Sequence, residues 1–280
     1  MEKRTFKSAE LVSDQDNRQY HIGCKPGDVA PYILMCGDPA RAHKVSKHFR
    51  NMKDPITHRE YVTITGEYKG IPTTVMATGM GPDNTEMAYV ELTQIVDNPT
   101  CIRIGSSGGL RKDMELCDLV ISSGAVRLEN TSTQYVMEGY PAVAHYECVL
   151  ALLESAKRNK FPHHVGLTAT ASSFYAGQGR RIPGFAPRNE NLPAELDNMN
   201  VCNLEMETSC LLTLANVSGY RAGAVCAVYA NRHHDKFVDS HQKDEAERRC
   251  VETGLNAIEV LHEMDKKRGD AQNWLPSMSI

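Results

Sequence analysis

Arg103 lies in the run Cys101-Ile102-Arg103-Ile104, which is otherwise apolar and rich in β-formers. A guanidinium in such a run is costly unless its charge is met. Five small residues follow at once, Gly105-Ser106-Ser107-Gly108-Gly109, so Arg103 and Ser106 could complete a cage around a dianion. The alternative is a structural ion pair with a buried carboxylate. A second arrangement suited to anions is Cys36-Gly37-Asp38-Pro39-Ala40-Arg41. Gly37 would let the backbone approach a ligand closely, free N–H groups at a helix start favour an anion, and Arg41 in the first turn could fork two oxygens. Taken alone, Gly-Asp-Pro is better explained as a plain turn before a helix. Carboxylates come from Asn203-Leu204-Glu205-Met206-Glu207-Thr208, where a strand or loop turns into a helix. Such a carboxylate can accept from vicinal hydroxyls. By itself the motif is a helix start with acids in its first turn, which suits the helix dipole.

The elements that would position these groups follow a repeated cadence. Short runs of β-formers at 32–36, 61–65, 73–78, 101–104, 119–122, 165–171 and 222–229 alternate with helical patterns at 40–49, 84–96, 143–159, 207–217 and 245–267. Strands followed by helices indicate βαβ units and a mainly parallel sheet. Glu67-Tyr68-Lys69-Gly70 reads as a hairpin turn, so the sheet is mixed. The stretch 180–200 is rich in Pro, Gly, Asn and Arg and reads as a long binding loop or lid. The expectation is one α/β domain over 21–268, with a polar arm at 1–20 and a tail at 269–280. In open α/β sheets ligands bind beyond the C-terminal ends of strands. That rule selects 37–39, 79–81, 105–109, 172–174 and 231–232, segments dominated by Gly, Ser, Asp and Arg.

The bulk properties narrow the class. The chain has 280 residues, 41% hydrophobic and 24% charged, with a formal net charge of −4, ordinary values for a globular protein with a continuous core. No basic stripe of the kind that holds a long nucleic acid is visible. Nine cysteines, an odd number without a Cys-x-x-Cys, argue against a disulfide framework or a zinc site. With no apolar leader after Met1 and no apolar run of bilayer length, the expectation is a cytoplasmic protein acting on a small molecule. The pairs His163-His164 and His233-His234 invite a metal reading, but adjacent side chains in an extended segment diverge and no third ligand is apparent, so no metal is expected.

Together the motifs resemble the hexameric-type nucleoside phosphorylase superfamily, and within it the uridine-specific members. The matching stretches are Cys36 to Arg41, Thr57-His58-Arg59-Glu60-Tyr61, Thr78-Gly79-Met80-Gly81, Ile102 to Gly109, Phe174-Tyr175-Ala176-Gly177-Gln178-Gly179-Arg180, Asn203 to Glu207, and Gly219-Tyr220-Arg221-Ala222-Gly223 on to Asn231-Arg232. Each is weak alone. Seven in the family's order, spread over residues 20 to 265, are not a chance match. The resemblance implies a central mixed, mostly parallel, barrel-like sheet flanked by helices. It implies phosphorolysis of uridine to uracil and ribose 1-phosphate, with inorganic phosphate as co-substrate and no cofactor. By position, Gly37, Arg41, Arg103 and Ser106 match the phosphate site, and Arg59 an arginine entering it from the neighbouring subunit. Met206 and Glu207 match the residues that hold the ribose 2′- and 3′-hydroxyls, with Glu205 close by. His21 matches a histidine lent to the 5′-hydroxyl across a dimer interface, and Phe174 an aromatic beside the base. The resemblance thus implies a homo-oligomer with shared sites.

The base end discriminates within the family. Uracil presents an acceptor, a donor and an acceptor along its O2, N3–H, O4 edge. Gln178 has an amide donor and acceptor and Arg180 only donors, so the pair can satisfy that edge, with Arg232 nearby. Arg103, Arg180 and Gln178 are the expected catalytic groups. Purine-specific relatives carry an aspartic acid after the last core strand to protonate N7. Asn231 is matched to that position and cannot act as the acid. Two departures stand out. The loop from Gly79 to Asn84 lacks a residue found in many relatives, which weakens the monovalent-cation site that this loop and the residue equivalent to Glu60 form in bacterial relatives. The stretch 184–198 does not align clearly. The competing readings are a purine nucleoside phosphorylase, disfavoured by Asn231; a nucleosidase using water, which would not need both Arg41 and Arg103; and a catalytically silent nucleoside-binding protein, disfavoured by the near-complete site.

Overall fold

Tyr32–Cys36 forms the strand β1, an unbroken run of large side chains. Ile33 and Met35 face one core and Leu34 and Cys36 the other, the alternation a strand imposes when both its faces are covered. The computed structural model describes residues 6–278. After β1, Pro39–Ser46 forms α1, whose first turn is capped by the Asp38 carboxylate accepting from the Ala40 amide. Strand β3 (Tyr61–Tyr68) pairs antiparallel with β2 (Ile56–His58) on one side and β4 (Ile71–Ala77) on the other. The expected hairpin joins β3 to β4 through Lys69 and Gly70, with φ of 51° and 77°, as a two-residue turn of this hand requires.

Then come α2 (Pro82–Thr93), β5 (Thr100–Gly109), β6 (Leu119–Leu128), β7 (Ala142–Val143), α3 (Tyr146–Arg158) and β8 (His163–Ala171). The chain continues through α4 (Leu192–Asn198), β9 (Val201–Glu205), α5 (Thr208–Ser218), β10 (Arg221–Asn231), β11 (Lys236–Phe237) and α6 (Ser240–Arg268). Parallel ladders join β1 to β4 and β5, β5 to β10, β6 to β8, and β8 to β9. Antiparallel contacts join β10 to β6 and the end of β5 to β9. The path β5–β10–β6–β8–β9 closes on itself as a distorted barrel, and β1, β4, β3 and β2 extend from it as an open sheet. Helices α1, α3 and α6 cover one face, and α2 and α5 the other. The protein is a single α/β domain with a mixed, barrel-like sheet flanked by helices. Among the described residues no helix is long and apolar enough to cross a membrane.

Several expectations are corrected. Residues 105–109, expected as a loop, are the second half of β5. They pair with β10 from Gly105↔Cys226 to Gly109↔Asn231, and this tertiary pairing overrides the local loop signal of Gly and Ser. Gly105 also makes room for a side chain, since a Cβ there would stand 2.7 Å from Arg103 Nη2. Helix α6 begins at Ser240 rather than at 245, because Asp239 and Gln242 form a capping box. Val143 belongs to β7, opposite Gly124, so α3 starts at Tyr146. The stretch 180–200 holds α4 and a small Ile182↔Phe185 bridge, and β9 follows it.

Of the expected arm and tail, residues 1–5 and 279–280 lie outside the described residues. In the arm, the Asp14 carboxylate accepts from the Asp16 and Arg18 amides at 3.0 and 2.9 Å. In the tail, Trp274 is buried against the α3/α6 core. All nine cysteines are unpaired and buried.

Candidate active site

The end of β5 gathers three elements. Arg103 donates through Nε to Glu205 Oε2 at 2.9 Å, and its Nη2 lies 2.5 Å from Glu207 Oε2. Glu205 closes β9 and Glu207 caps α5, so the strand-to-helix turn carries both carboxylates to the guanidinium. Thus the structural ion pair weighed for Arg103 exists. It leaves three of the five guanidinium N–H groups for other partners.

Glu205 is fully committed. Its carboxylate also accepts from Thr170 Oγ1 at 2.5 Å, from the Glu207 amide at 2.9 Å and from the Thr208 amide at 3.0 Å. It therefore organises the turn and orients Arg103. Glu207 has fewer partners: Oε1 accepts from the Gly81 amide at 2.6 Å and Oε2 meets Arg103. Burial pushes the Glu207 carboxyl above the ordinary range; Arg103 opposes the rise and Glu205 adds to it. Met206, between them, is half-buried.

Arg41 reaches the same strand end from α1. Its Nε donates to Glu247 Oε1 at 3.0 Å and its Nη1 to the Ile104 carbonyl at 3.1 Å. Gly37 lies alongside, its carbonyl accepting from the Gly79 amide at 3.1 Å. Ser106 is half-buried on β5, opposite Ala227 of β10. Arg41, Arg103, Glu205, Glu207 and the Gly81 amide are thus joined through direct contacts or through β5.

A second cluster lies further along the β5–β10 ladder. Arg180 Nη1 donates to Gln178 Oε1 at 3.2 Å, and its guanidinium stands 4.1 Å above the Phe174 ring. Arg232 Nη2 donates to the Gln178 carbonyl at 3.3 Å, and the Arg232 amide is fixed on the Gly109 carbonyl. Among the described residues neither guanidinium has a carboxylate within ion-pair distance. Burial lowers the proton affinity of both. For Arg180 the charge of Arg232 lowers it further, and for Arg232 the charge of Asp235 partly opposes burial. Three residues of strand, about 10 Å, separate Ser106 from Gly109, a span of nucleoside size.

Asn231 is not at this cluster. Its Nδ2 donates to the Met114 carbonyl at 2.6 Å, and its Oδ1 accepts from the His233 and His234 amides at 2.9 and 3.1 Å. The side chain holds the turn after β10 to the segment before β6. The residue after β10 that bonds to Gln178 is Arg232, the next in sequence.

His21 and Arg59 sit together on another edge. Glu91 of α2 accepts from the His21 amide at 3.0 Å and from its Nδ1 at 2.7 Å, which leaves Nε2 as the other ring nitrogen. The His21 carbonyl accepts from His58 Nδ1 at 2.7 Å, and exposed Arg59 lies 4.9 Å from the centre of the Tyr20 ring. Their bonds tie them to this edge and to neither cluster. Each of the four paired histidines has its own partner: Phe161 for His163, Asp118 for His164, Asp197 for His233 and Lys112 for His234. Among the described residues no group of three or more His, Cys, Asp or Glu side chains could hold a metal ion.

Two contributors escaped the sequence reading. Thr170, at the end of β8, carried no signal in a run of small residues. Glu247 did carry one: it falls on the stripe of α6 that buries Ala246, Cys250, Val251 and Gly254, and a carboxylate on an apolar stripe needs a partner.

The Phosphorylase superfamily model matches residues 31–261. The chain belongs to that family. A uridine phosphorylase of Thermococcus kodakarensis is 44% identical over 280 residues, covering 98% of each chain. A guanosine phosphorylase of Halorubrum lacusprofundi is 30% identical over 252 residues, covering 87% of this chain and 99% of the relative. The crystal structure of a Trypanosoma brucei nucleoside phosphorylase, described as showing uridine phosphorylase activity, superposes with a TM-score of 0.83 at 28% identity, covering 88% of this chain and 98% of that one. Family membership does not by itself decide the base.

Proposed function

We propose that this protein is a uridine phosphorylase, converting uridine and inorganic phosphate to uracil and ribose 1-phosphate. The observation that carries the choice of base is the Gln178–Arg180–Arg232 cluster: two guanidiniums and an amide, with no acid among them. Negative charge grows on uracil as it leaves, and the two arginines meet it. A purine leaving group needs a proton at N7, for which this cluster offers no carboxyl.

Phosphate sits against Arg41, Arg103 and Ser106, near Gly37. Glu207 and Met206 hold the ribose hydroxyls, and Glu205 acts through Arg103 and the turn. The C1′–N1 bond breaks with its electron pair passing to the base, a phosphate oxygen forms the new bond to C1′, and the base takes a proton from water. Positive charge on the ribose ring is stabilised by the phosphate held opposite. Positioning and preorganised charge supply the rate, with no covalent intermediate. No cofactor enters, and no step draws on a monovalent cation at the 79–84 loop.

The exposed edge of His21 and Arg59 supports a homo-oligomer in which each protomer lends these residues to its partner's 5′-hydroxyl and phosphate. The unpaired buried cysteines support a reducing, cytoplasmic setting. The partners are small molecules, not nucleic acid or membrane. The test is turnover of uridine and inosine side by side in phosphate buffer. Uridine as the preferred substrate is the expected result, and preference for inosine overturns the assignment of Arg180 and Arg232.

A further inference from the structure

We infer that Glu247 is a positioning residue for the phosphate subsite, fixing the direction in which Arg41 presents its free N–H groups. The inference rests on the proposed phosphate site. Arg41 is buried on α1, with 7% of its surface exposed, and has five N–H donors. Nε goes to Glu247 Oε1 at 3.0 Å, one Nη1 hydrogen to the Ile104 carbonyl at 3.1 Å, and one Nη2 hydrogen faces the Tyr229 hydroxyl at 3.4 Å. Two N–H groups remain, one on each terminal nitrogen, enough to donate to two oxygens of one anion. The bond to Glu247 is the charged one of the three and spans α1 and α6.

The other oxygen of Glu247, Oε2, lies 2.5 Å from Lys44 Nζ. Lys44 is one turn beyond Arg41, so a single carboxylate is shared by two cations. Burial raises the Glu247 carboxyl, but the Lys44 and Arg41 contacts outweigh it and the net shift is downward. Lys44 also meets Asp244 Oδ1 at 3.5 Å, so two cations and two carboxylates balance here. Around Arg103, by contrast, two carboxylates face one guanidinium.

Charge and geometry make opposite predictions for Glu247→Gln. Removing a negative charge should strengthen phosphate binding if field alone matters. If Glu247 aims Arg41, binding should weaken despite the gained positive charge. The experiment measures binding of inorganic phosphate by titration calorimetry, without nucleoside, together with the KM of phosphate and of uridine. The expected result is phosphate binding weaker by about tenfold, the scale of one charged hydrogen bond, with the uridine KM within about twofold. Unchanged or tighter phosphate binding overturns the inference. So does a parallel loss in both KM values and in melting temperature, which marks a purely structural role. If Glu247→Gln does not fold, Glu247→Asp keeps the charge, shortens the reach and should show the same split. A wild-type protein that binds phosphate but does not consume uridine would refute the uridine reading and leave Glu247 testable. One that does not bind phosphate would refute both.

Discussion

Two groups of buried charge occupy opposite ends of the sheet, and they are built on different terms. At the N-terminal ends of the strands, Arg221 donates to Glu147 Oε2 at 2.7 Å, to both oxygens of Asp265 at 2.7 Å and to Thr100 Oγ1 at 3.0 Å. Arg268 adds bonds to both carboxylates, and Tyr32, Tyr146 and the Trp274 amide complete the set. This group is closed and ties β1, α3, β10, α6 and the chain after α6 together. At the C-terminal ends, Arg41 and Arg103 keep N–H groups in reserve, Arg180 and Arg232 have no carboxylate within ion-pair distance among the described residues, and Glu207 is held against the preference of its burial.

The titrations run in opposite directions. Burial pushes Glu147 and Asp265 up, yet the bonds and charge of Arg221 outweigh it and both end below their ordinary values. Glu207 ends above its own. The first pair stabilises the fold as carboxylates, whereas burial disfavours the ionised form of Glu207. Charge satisfied within the protein marks structure, and charge left for a partner marks function.

The largest break in this comparison is Arg103→Ala. It should lower kcat/KM for uridine by about a thousandfold, the upper range for losing one preorganised charge donor, read by steady-state kinetics well below the melting temperature. Arg180→Ala should cost about a hundredfold, with the phosphate KM nearly unchanged; wild-type kcat/KM would dismiss the base-end assignment.

Glu147→Gln should do the reverse. Breaking a buried pair costs about 3 kcal/mol, a fall in melting temperature of roughly 6–10 °C, with kcat/KM at 25 °C within about twofold. A pH series sharpens this contrast by the smallest effect. Because the folded-state values of Glu147 and Asp265 are lowered, their contribution is present above the ordinary carboxylate values of 4.5 and 3.8. It is lost as pH falls through the depressed ones. The stability gap between wild type and Glu147→Gln should therefore narrow below pH 4, measured by denaturant titration.

What the sequence made legible follows the same division. β1 was readable end to end because a strand buried on both faces is a continuous apolar run. Arg103 was readable because a charge inside such a run has few explanations. β5 was read five residues short at its C-terminal end, since Gly105 to Gly109 are strand by virtue of β10 beside them and carry no local strand signal. α4 was missed inside the polar stretch 180–200, and β9, just after it, was left as strand or loop because its five residues pair only with distant strands. Asn231 was matched from the sequence to the acid of purine-specific relatives; its bond to the Met114 carbonyl, and that of Arg232 to Gln178, depend on the turn after β10 and could not be read from the sequence. Glu247 sat in plain view on an apolar helical stripe, but its partner lies over two hundred residues away.

If the charge held in reserve at the C-terminal ends serves phosphate and a departing pyrimidine, the absorbance of uridine over time with the purified protein, with and without inorganic phosphate, shows it. Uridine should be lost only when phosphate is present, with ribose 1-phosphate formed in equal amount. Cleavage at the same rate without phosphate would make the protein a hydrolase and contradict the role given to Arg41 and Arg103, and no cleavage in either condition would leave a nucleoside-binding protein in place of an enzyme.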